Sequence, residues 1–287
     1  MVSISSELLQ TWIVSLLWPL TRVLGVIAAA PIYSHTAIPN QVKLGLGIML
    51  TLIIVPTIPA LPQFEIFSFQ GLLILVQQLI IGLAIGFSMR LVFAAVEMAG
   101  QLIGMSMGLG FASFYDPQSQ GQSTAVNQFL VLLAMLIFLS LDGHLMIITA
   151  VANSFITMPI ALGGSGINPM KIALWGETIF STGLMLALPA VAALLVTNMA
   201  LGILTRTAPQ LNLFGIGFSV TLSIGFIVLA LSLPGMLRPI ENFIEKGVSN
   251  MSQVAVPQAT LSTNTMPKSI ESNQSLPKAV ITPALNP

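Results

Sequence analysis

"LIIGLAIGFSMRLVFAAVEMAGQLIGMSMGLGFASFYDPQSQGQS" occupies positions 79–123. Its first half is an apolar run whose only charges are Arg90 and Glu97. Its second half loosens into glycine and polar residues. From Gly104 to Thr124 the chain holds four Gly, the adjacent aromatics Phe114 and Tyr115, an Asp116–Pro117 pair, three Gln and four Ser. A long apolar run without period-two alternation reads as helix rather than strand. The fold then turns on what surrounds such a helix, and on why it ends in a flexible polar segment.

Composition supplies the surroundings. The chain has 287 residues, 55% hydrophobic and only 6% charged, with a mean hydropathy of +0.95. Soluble domains carry about 25% charged residues, so this is an all-α integral membrane protein. Its formal net charge of zero points away from nucleic acid. The absence of Cys excludes a disulfide framework, a thiol nucleophile and a Cys metal site. His35 and His144 are the only histidines, so ligands for a metal are scarce and no cofactor is implied. The start, "MVSISSELLQTWIVSLLWPLTRV", has no basic n-region and carries Arg22 inside its apolar run. It reads as a retained segment, not a signal peptide.

Six apolar stretches stand out, at 8–30, 44–62, 68–99, 126–151, 179–204 and 212–237. A spanning helix needs roughly 20 apolar residues, which predicts about six hydrophobic helices. The stretch 68–99 is too long: at about 1.5 Å per residue it reaches roughly 45 Å, so it must tilt, bend or protrude. Arg22 and Arg90 lie inside apolar stretches, where a charge costs about 2.5–3.5 kcal/mol at mid-bilayer. Pro19, Pro56, Pro59 and Pro189 interrupt the helices and free backbone carbonyls. All three features are tolerable where the surface packs against protein. For the loops, Lys43 and Arg206 fall on one side and Lys171, Arg238 and Lys246 on the other, which favours cytoplasmic termini. Residues 251–287, rich in Ser, Pro, Thr, Asn and Gln, read as a disordered tail.

Several motifs bear on function. Gly82 and Gly86 form a GxxxG, and Gly100, Gly104 and Gly108 form two more in tandem. This spacing lets another helix, of this chain or of another subunit, approach closely. Arg90 and Glu97 share a helix face but lie about 10 Å apart along it, so each needs a partner elsewhere or an aqueous cavity. Intramembrane ionisable groups are functional candidates. Asp142 and His144 in "LDGHLM" suit a polar turn at a helix end. "GGSG" at 163–166 tempts a reading as an intramembrane serine protease, but no His follows Ser165 and the nucleophile lacks its base. Met105 and Met107 beside the glycines are soft fillers that suit packing or a deformable constriction. A small-solute secondary transporter is a competing class; it would use its intramembrane charges as coupled sites near the midplane.

The opening stretch resembles the central region of the FliR family, membrane proteins of the flagellar type III export gate with injectisome homologues. "FLSLDGHLMI" (138–147), "LPAVAALLVTNMALGILTRTAPQLNLFGIGFSVTLSIG" (188–225) and "TRVLGVIAAAPIYSHTAIPNQVKLGLGIMLTLIIVP" (21–56) are similar to its other blocks. The resemblance covers nearly all of residues 10–245. One departure is Gln77 and Gln78, which stand where the family often has an acidic residue, so a carboxylate for an ion pair is missing there. The resemblance implies an inner-membrane subunit of the flagellar basal body that joins FliP, FliQ and FlhB and passes unfolded flagellar proteins through a pore. It implies a FliP-like part at 1–175, a FliQ-like helical hairpin at 176–250, and a gate raised out of the bilayer plane. It also implies a plug loop at 106–122, with Met105, Met107, Gly108, Gly110, Phe111, Phe114, Tyr115, Asp116 and Pro117 as plug or pore residues. Irregular backbone at membrane depth is tolerated only where protein buries it or water surrounds it, and a pore interior is such a place. Arg22, Arg90, Glu97, Asp142, His144, Arg206, Gln210 and Asn212 become candidates for structural or inter-subunit polar contacts. Gly82, Gly86, Gly100 and Gly104 become candidates for helix packing.

Overall fold

The computed structural model describes residues 6–58, 68–111, 125–161, 169–208 and 217–254. Over their described residues the apolar stretches fold mainly as helix. In chain order these are α1 (Ser6–Ala29), α2 (Asn40–Ile54), α3 (Phe69–Ser106), α4 (Ala125–Ser140), α5 (Gly143–Thr157), α6 (Pro169–Thr207) and α7 (Phe218–Val254). No strand occurs among the described residues. Among the described residues four helices are long and apolar enough to cross a membrane, α2 with the 3-10 turn that follows it (Asn40–Thr57), α3, α6 and α7, and α4 with α5 makes a fifth candidate if the bent pair counts as one span.

The molecule is organised around α3, whose 38 residues reach about 57 Å. Ser68 starts it: its Oγ accepts the Gly71 N–H at 3.0 Å, an N-cap. The helix runs on through Gly100 and Gly104, past the end of the expected stretch. Packing replaces the entropy that these glycines lose: a Cβ on Gly100 would lie 2.5 Å from the Asn127 Cα of α4.

α1 crosses α3 at a glycine-to-glycine contact. A Cβ on Gly82 would lie 2.1 Å from the Arg22 carbonyl oxygen and 3.1 Å from the Gly25 Cα, and one on Gly86 would meet Val26 and Ala29 at 2.8 Å. The Gly82–Gly86 motif is thus used within this chain. The rising numbers on both sides make α1 and α3 parallel. α6 is parallel to α3 as well. The Trp175 indole donates to the Ser88 carbonyl at 3.1 Å, Gly183 faces Ala95 and Met98, and the Asn198 amide donates to the Ser106 carbonyl at 3.1 Å. α7 runs the other way, with Gly225 against Met107 and Gly247 against Val92 and Met89. α4 is also antiparallel, from Asn127 beside Gly100 to the edge-on Phe138–Phe93 pair at 5.7 Å.

Some boundaries differ from the hydropathy reading. The stretch 126–151 breaks into α4 and α5, bent by 65°. Asp142 sits at the break in left-handed backbone, φ 54°, and Gly143 is packed against the Phe138 ring so closely that a Cβ would lie 2.2 Å away. Lys171, Arg238 and Lys246, expected in loops, lie inside α6 and α7, because those helices extend well past the apolar runs that announced them. α7 continues to Val254 with Met251 buried, beyond the expected boundary at 250. Residues 255–287 lie outside the described residues. Pro19 and Pro189 sit inside helices, as do Pro234 and Pro239 of α7. Pro56 lies in the 3-10 turn that ends α2, and Pro59 is outside the described residues.

Gly82→Ala is expected to destabilise the protein by about 1–3 kcal/mol or more, as overpacking does, since the obstructing atom is a backbone oxygen. Gly45→Ala, with nothing within 4 Å of the added Cβ, is expected to be neutral or to stabilise by up to about 1 kcal/mol through helix propensity. Thermal unfolding of the detergent-solubilised protein decides; equal midpoints for the two variants would contradict the close crossing.

Candidate functional site: the end of α3, the buried arginine and a band of charge

Arg22 is fully buried, and its guanidinium joins three helices. Nε donates to Gln78 Oε1 of α3 at 2.8 Å. Nη1 donates to the Ser154 carbonyl at 2.8 Å and to Ser154 Oγ at 3.0 Å, on α5. Nη2 donates to the Met158 carbonyl, just past α5, at 2.9 Å. The group also stacks over Phe155, 4.1 Å from the ring centroid, a cation–π geometry. No carboxylate is among these partners. The arginine acts as a C-terminal cap for α5, where cations suit the helix dipole. These contacts lie inside this chain, so of the structural or inter-subunit contacts expected for Arg22 the structure describes the structural kind. Gln78 also takes a role that its lack of charge hid, since an amide oxygen accepts from guanidinium as geometry requires. The Gln78 amide nitrogen and the Trp18 indole nitrogen beside this cluster are buried without a hydrogen-bond partner.

The end of α3 is held from two sides. Met107 caps the helix, its N–H donating to the Ile103 carbonyl at 2.9 Å. Its side chain is fully buried and fills the space over Gly225 of α7. Asn198 of α6 donates to the Ser106 carbonyl. Gly108 then turns at φ 84°, a conformation that glycine adopts without strain. Gly110 has open space around it, and the backbone of Leu109–Phe111 makes a short 3-10 turn. Met105 points outward and is exposed. Of the two methionines read together, one is an anchor and the other lies on the surface. Phe114, Tyr115, Asp116 and Pro117 lie outside the described residues, as do Ser165, Gln210 and Asn212.

Arg90 and Glu97 are exposed on α3, on the face that carries Leu72, Val76, Leu83 and Phe87 nearer its start. The helix neighbours given above set the level of other charges. Lys171 and Glu177 flank Trp175 on α6, and Arg238, Glu241, Glu245 and Lys246 lie along α7 toward Gly247. Lys43, whose Nζ donates to the Ser34 carbonyl at 3.0 Å, lies near the end of α1, and Asp142 lies one turn past Phe138. Of the charged side chains described, all but Arg22 and Arg206 therefore fall around the middle of α3, in a band about 20 Å tall. Exposed apolar surface lies on both sides of it. One zone holds Leu72 to Phe87 of α3 with Met49, Leu52 and Ile53 of α2; the other holds Leu188, Leu195 and Met199 of α6 with Phe226 and Leu231 of α7.

The remaining candidates have local roles. The Tyr33 hydroxyl donates to the His144 carbonyl at 3.2 Å, which ties the α1–α2 turn to the α4–α5 break. His144 Nδ1 is buried without a partner. Asp142 is exposed at the break, and Arg206 is exposed in the last turn of α6, where a cation complements the helix dipole. Gly104 is buried on α3, one turn past Gly100. Among the described residues no His, Asp and Glu cluster is suited to hold a metal. The arrangement is mechanical, built of anchors, close crossings and a charged girdle.

A sequence profile of the family described as bacterial export proteins, family 1, matches residues 13–247. The chain is 44% identical over 240 residues to the flagellar biosynthetic protein FliR of Pectobacterium carotovorum subsp. carotovorum, covering 82% of this chain and 90% of that protein. It is 44% identical over 237 residues to FliR of Escherichia coli K12, with the same coverage. It is 27% identical over 234 residues to FliR of Bacillus subtilis 168, covering 80% and 90%.

Arg22→Leu is expected to lower stability by about 2–4 kcal/mol, because it leaves the Gln78 and Met158 oxygens buried and unpaired. Arg22→Lys keeps the charge but loses the fork geometry, and an intermediate loss is expected. The measurement is the melting midpoint in detergent. A wild-type midpoint for Arg22→Leu would mean that the cluster does not hold α1, α3 and α5 together.

Proposed function

The chain belongs to the bacterial export protein family 1, in its flagellar FliR branch, and is a protein of the inner membrane at the flagellar basal body; from that premise we propose that it is a subunit of the protein-conducting export gate. In this reading it assembles with FliP-like, FliQ-like and FlhB-like membrane proteins around a pore for unfolded flagellar proteins. The segment leaving α3 at Gly108 closes that pore from inside. Residues 1–175 form the FliP-like part, and residues 176–250, which hold most of α6 and α7, form the FliQ-like hairpin.

The observation that carries the reading is the division of the exposed surface. α3 and α6 are each about 57–59 Å long. Trp175, the seventh residue of α6, pairs with Ser88, the twentieth of α3, so α6 is displaced by thirteen residues, or about 20 Å. The pair therefore covers about 80 Å, roughly two and a half times the 30 Å of a hydrocarbon core, with charges in the middle. A charge at mid-bilayer costs about 2.5–3.5 kcal/mol, and a band of them cannot sit there against lipid. One apolar zone can cross the bilayer; the other then lies outside the core and needs protein cover. This favours a gate raised from the membrane plane within a multi-subunit complex, and it gives Arg90 and Glu97 protein or water as neighbours.

The seal follows from physics. A hole wide enough for an unfolded chain leaks ions unless something fills it. Phe111, Phe114 and Tyr115 have the bulk, and Gly108 and Gly110 supply release without breaking α3. Removal of residues 110–120 is expected to leave the complex assembled and to raise its ion conductance, read by single-channel recording and by growth on high salt. The native mass of the detergent-solubilised complex is measured alongside. A monodisperse, long-lived monomer would overturn the assembly, and a deletion complex as tight as wild type would overturn the plug.

A further inference from the structure

The Arg22 cluster holds more donors than acceptors. The guanidinium donates to one amide oxygen, one hydroxyl and two backbone carbonyls. Two further donors lie beside it, the Trp18 indole nitrogen and the Gln78 amide nitrogen. Each belongs to a fully buried side chain, and each is without a hydrogen-bond partner. The helix crossing brings them to one level. Trp18 lies one turn before Arg22 on α1. Gln78 lies one turn before Gly82 on α3, and Gly82 faces the Arg22 carbonyl oxygen. α1 and α3 are parallel, and helical side chains lean toward the N-terminus, so both residues lean to the same side of the crossing. The bond from Arg22 Nε to Gln78 Oε1 also fixes the amide: its oxygen is engaged, and its NH2 group is the surplus. Charge points the same way. Arg22 is the only charged side chain buried among the described residues, and a buried ion is costly unless it is paired.

We propose that the junction of α1, α3 and α5 is a binding site for a halide ion, held by the Trp18 indole N–H, the Gln78 amide N–H groups and the charge of Arg22. A halide suits the site on three counts. It accepts several N–H groups at once and brings no proton of its own. A water molecule brings two, and the oxygens of Gln78, Ser154 and Met158 already accept from the guanidinium. A halide also supplies the negative charge that the buried side chains lack. And it is a single atom, which suits a junction where two backbones touch. Bound there, the ion ties Trp18 of α1 to Gln78 of α3. A ligand that binds the folded chain alone raises its stability as the ligand concentration rises. The proposal is independent of the pore reading.

The test is the melting midpoint of the full chain in its detergent-solubilised complex, with sodium chloride exchanged for sodium gluconate at constant ionic strength. The midpoint is expected to fall in gluconate and to recover as chloride or bromide is titrated back. Trp18→Phe keeps an aromatic ring and removes the donor; it is expected to need a several-fold higher chloride concentration for the same recovery. Gln78→Glu sets a carboxylate against the guanidinium and is expected to lose the halide response. A wild-type midpoint that ignores the exchange overturns the proposal. So does a response of equal size in wild type and either variant, which is a general effect of salt. Where Gln78→Glu fails to fold, Trp18→Phe carries the comparison. Anomalous scattering from crystals of the complex grown in bromide gives a second measurement. A peak in contact with Trp18 Nε1 and Gln78 Nε2 is expected. Absence of the peak, or water in its place, overturns the site. A peak in a complex whose midpoint does not respond marks an adventitious ion only, and overturns it as well.

Discussion

The close crossing of α1 and α3 is the constraint on which the other arrangements rest. Gly25 and Gly82 bring two backbones together so tightly that the Arg22 carbonyl occupies the place of a side chain. Without hydrophobic drive between helices in lipid, such contact is what van der Waals packing offers. The same approach carries the Arg22 guanidinium across α3 to Gln78 and on to the end of α5. Once α1, α3 and α5 are joined, the bent α4–α5 pair has a fixed base. The opposite side of α3 is then left for α6 and α7.

Much of this architecture was legible in the sequence, because apolar runs without alternation become helices wherever backbone groups must bond internally. The Gly82–Gly86 spacing announced a packing face, although nothing in the spacing named α1 as its partner. The break at Asp142 was hidden, since a left-handed residue leaves no mark on hydropathy. Arg22 was singled out correctly as costly, yet its acceptors are an amide and backbone carbonyls, which every residue possesses and no motif records. Gln78 was discounted for lacking charge, although an acceptor oxygen was all the geometry required. Asn198 and Gly225 escaped notice for a similar reason. One bonds to backbone and the other matters through the side chain it does not have.

The band of charge around the middle of α3 was also invisible along the chain. Arg90, Lys171, Glu245 and Asp142 lie far apart in sequence, and only the parallel run of α6 and the antiparallel run of α7 bring them to one height. A hydropathy reading treats each stretch as a separate crossing and so distributes the charges among loops. The folded chain stacks two apolar zones instead. In the gate reading proposed above, such a protein answers to two solvents, lipid at one level and neighbouring proteins at another.

The Arg22 cluster also has a consequence for biosynthesis. Gln78 lies 56 residues downstream of the arginine, and Ser154 and Met158 lie 132 and 136 residues downstream. At about 5–20 residues per second, Arg22 leaves the ribosome roughly 7–27 s before the end of α5 exists to receive its guanidinium. Throughout that interval an unpaired cation in α1 disfavours burial in lipid, so α1 is expected to settle fully only once α5 is present. α1 is made well before its partner α5, so the pace of translation is expected to bear on when the two helices join.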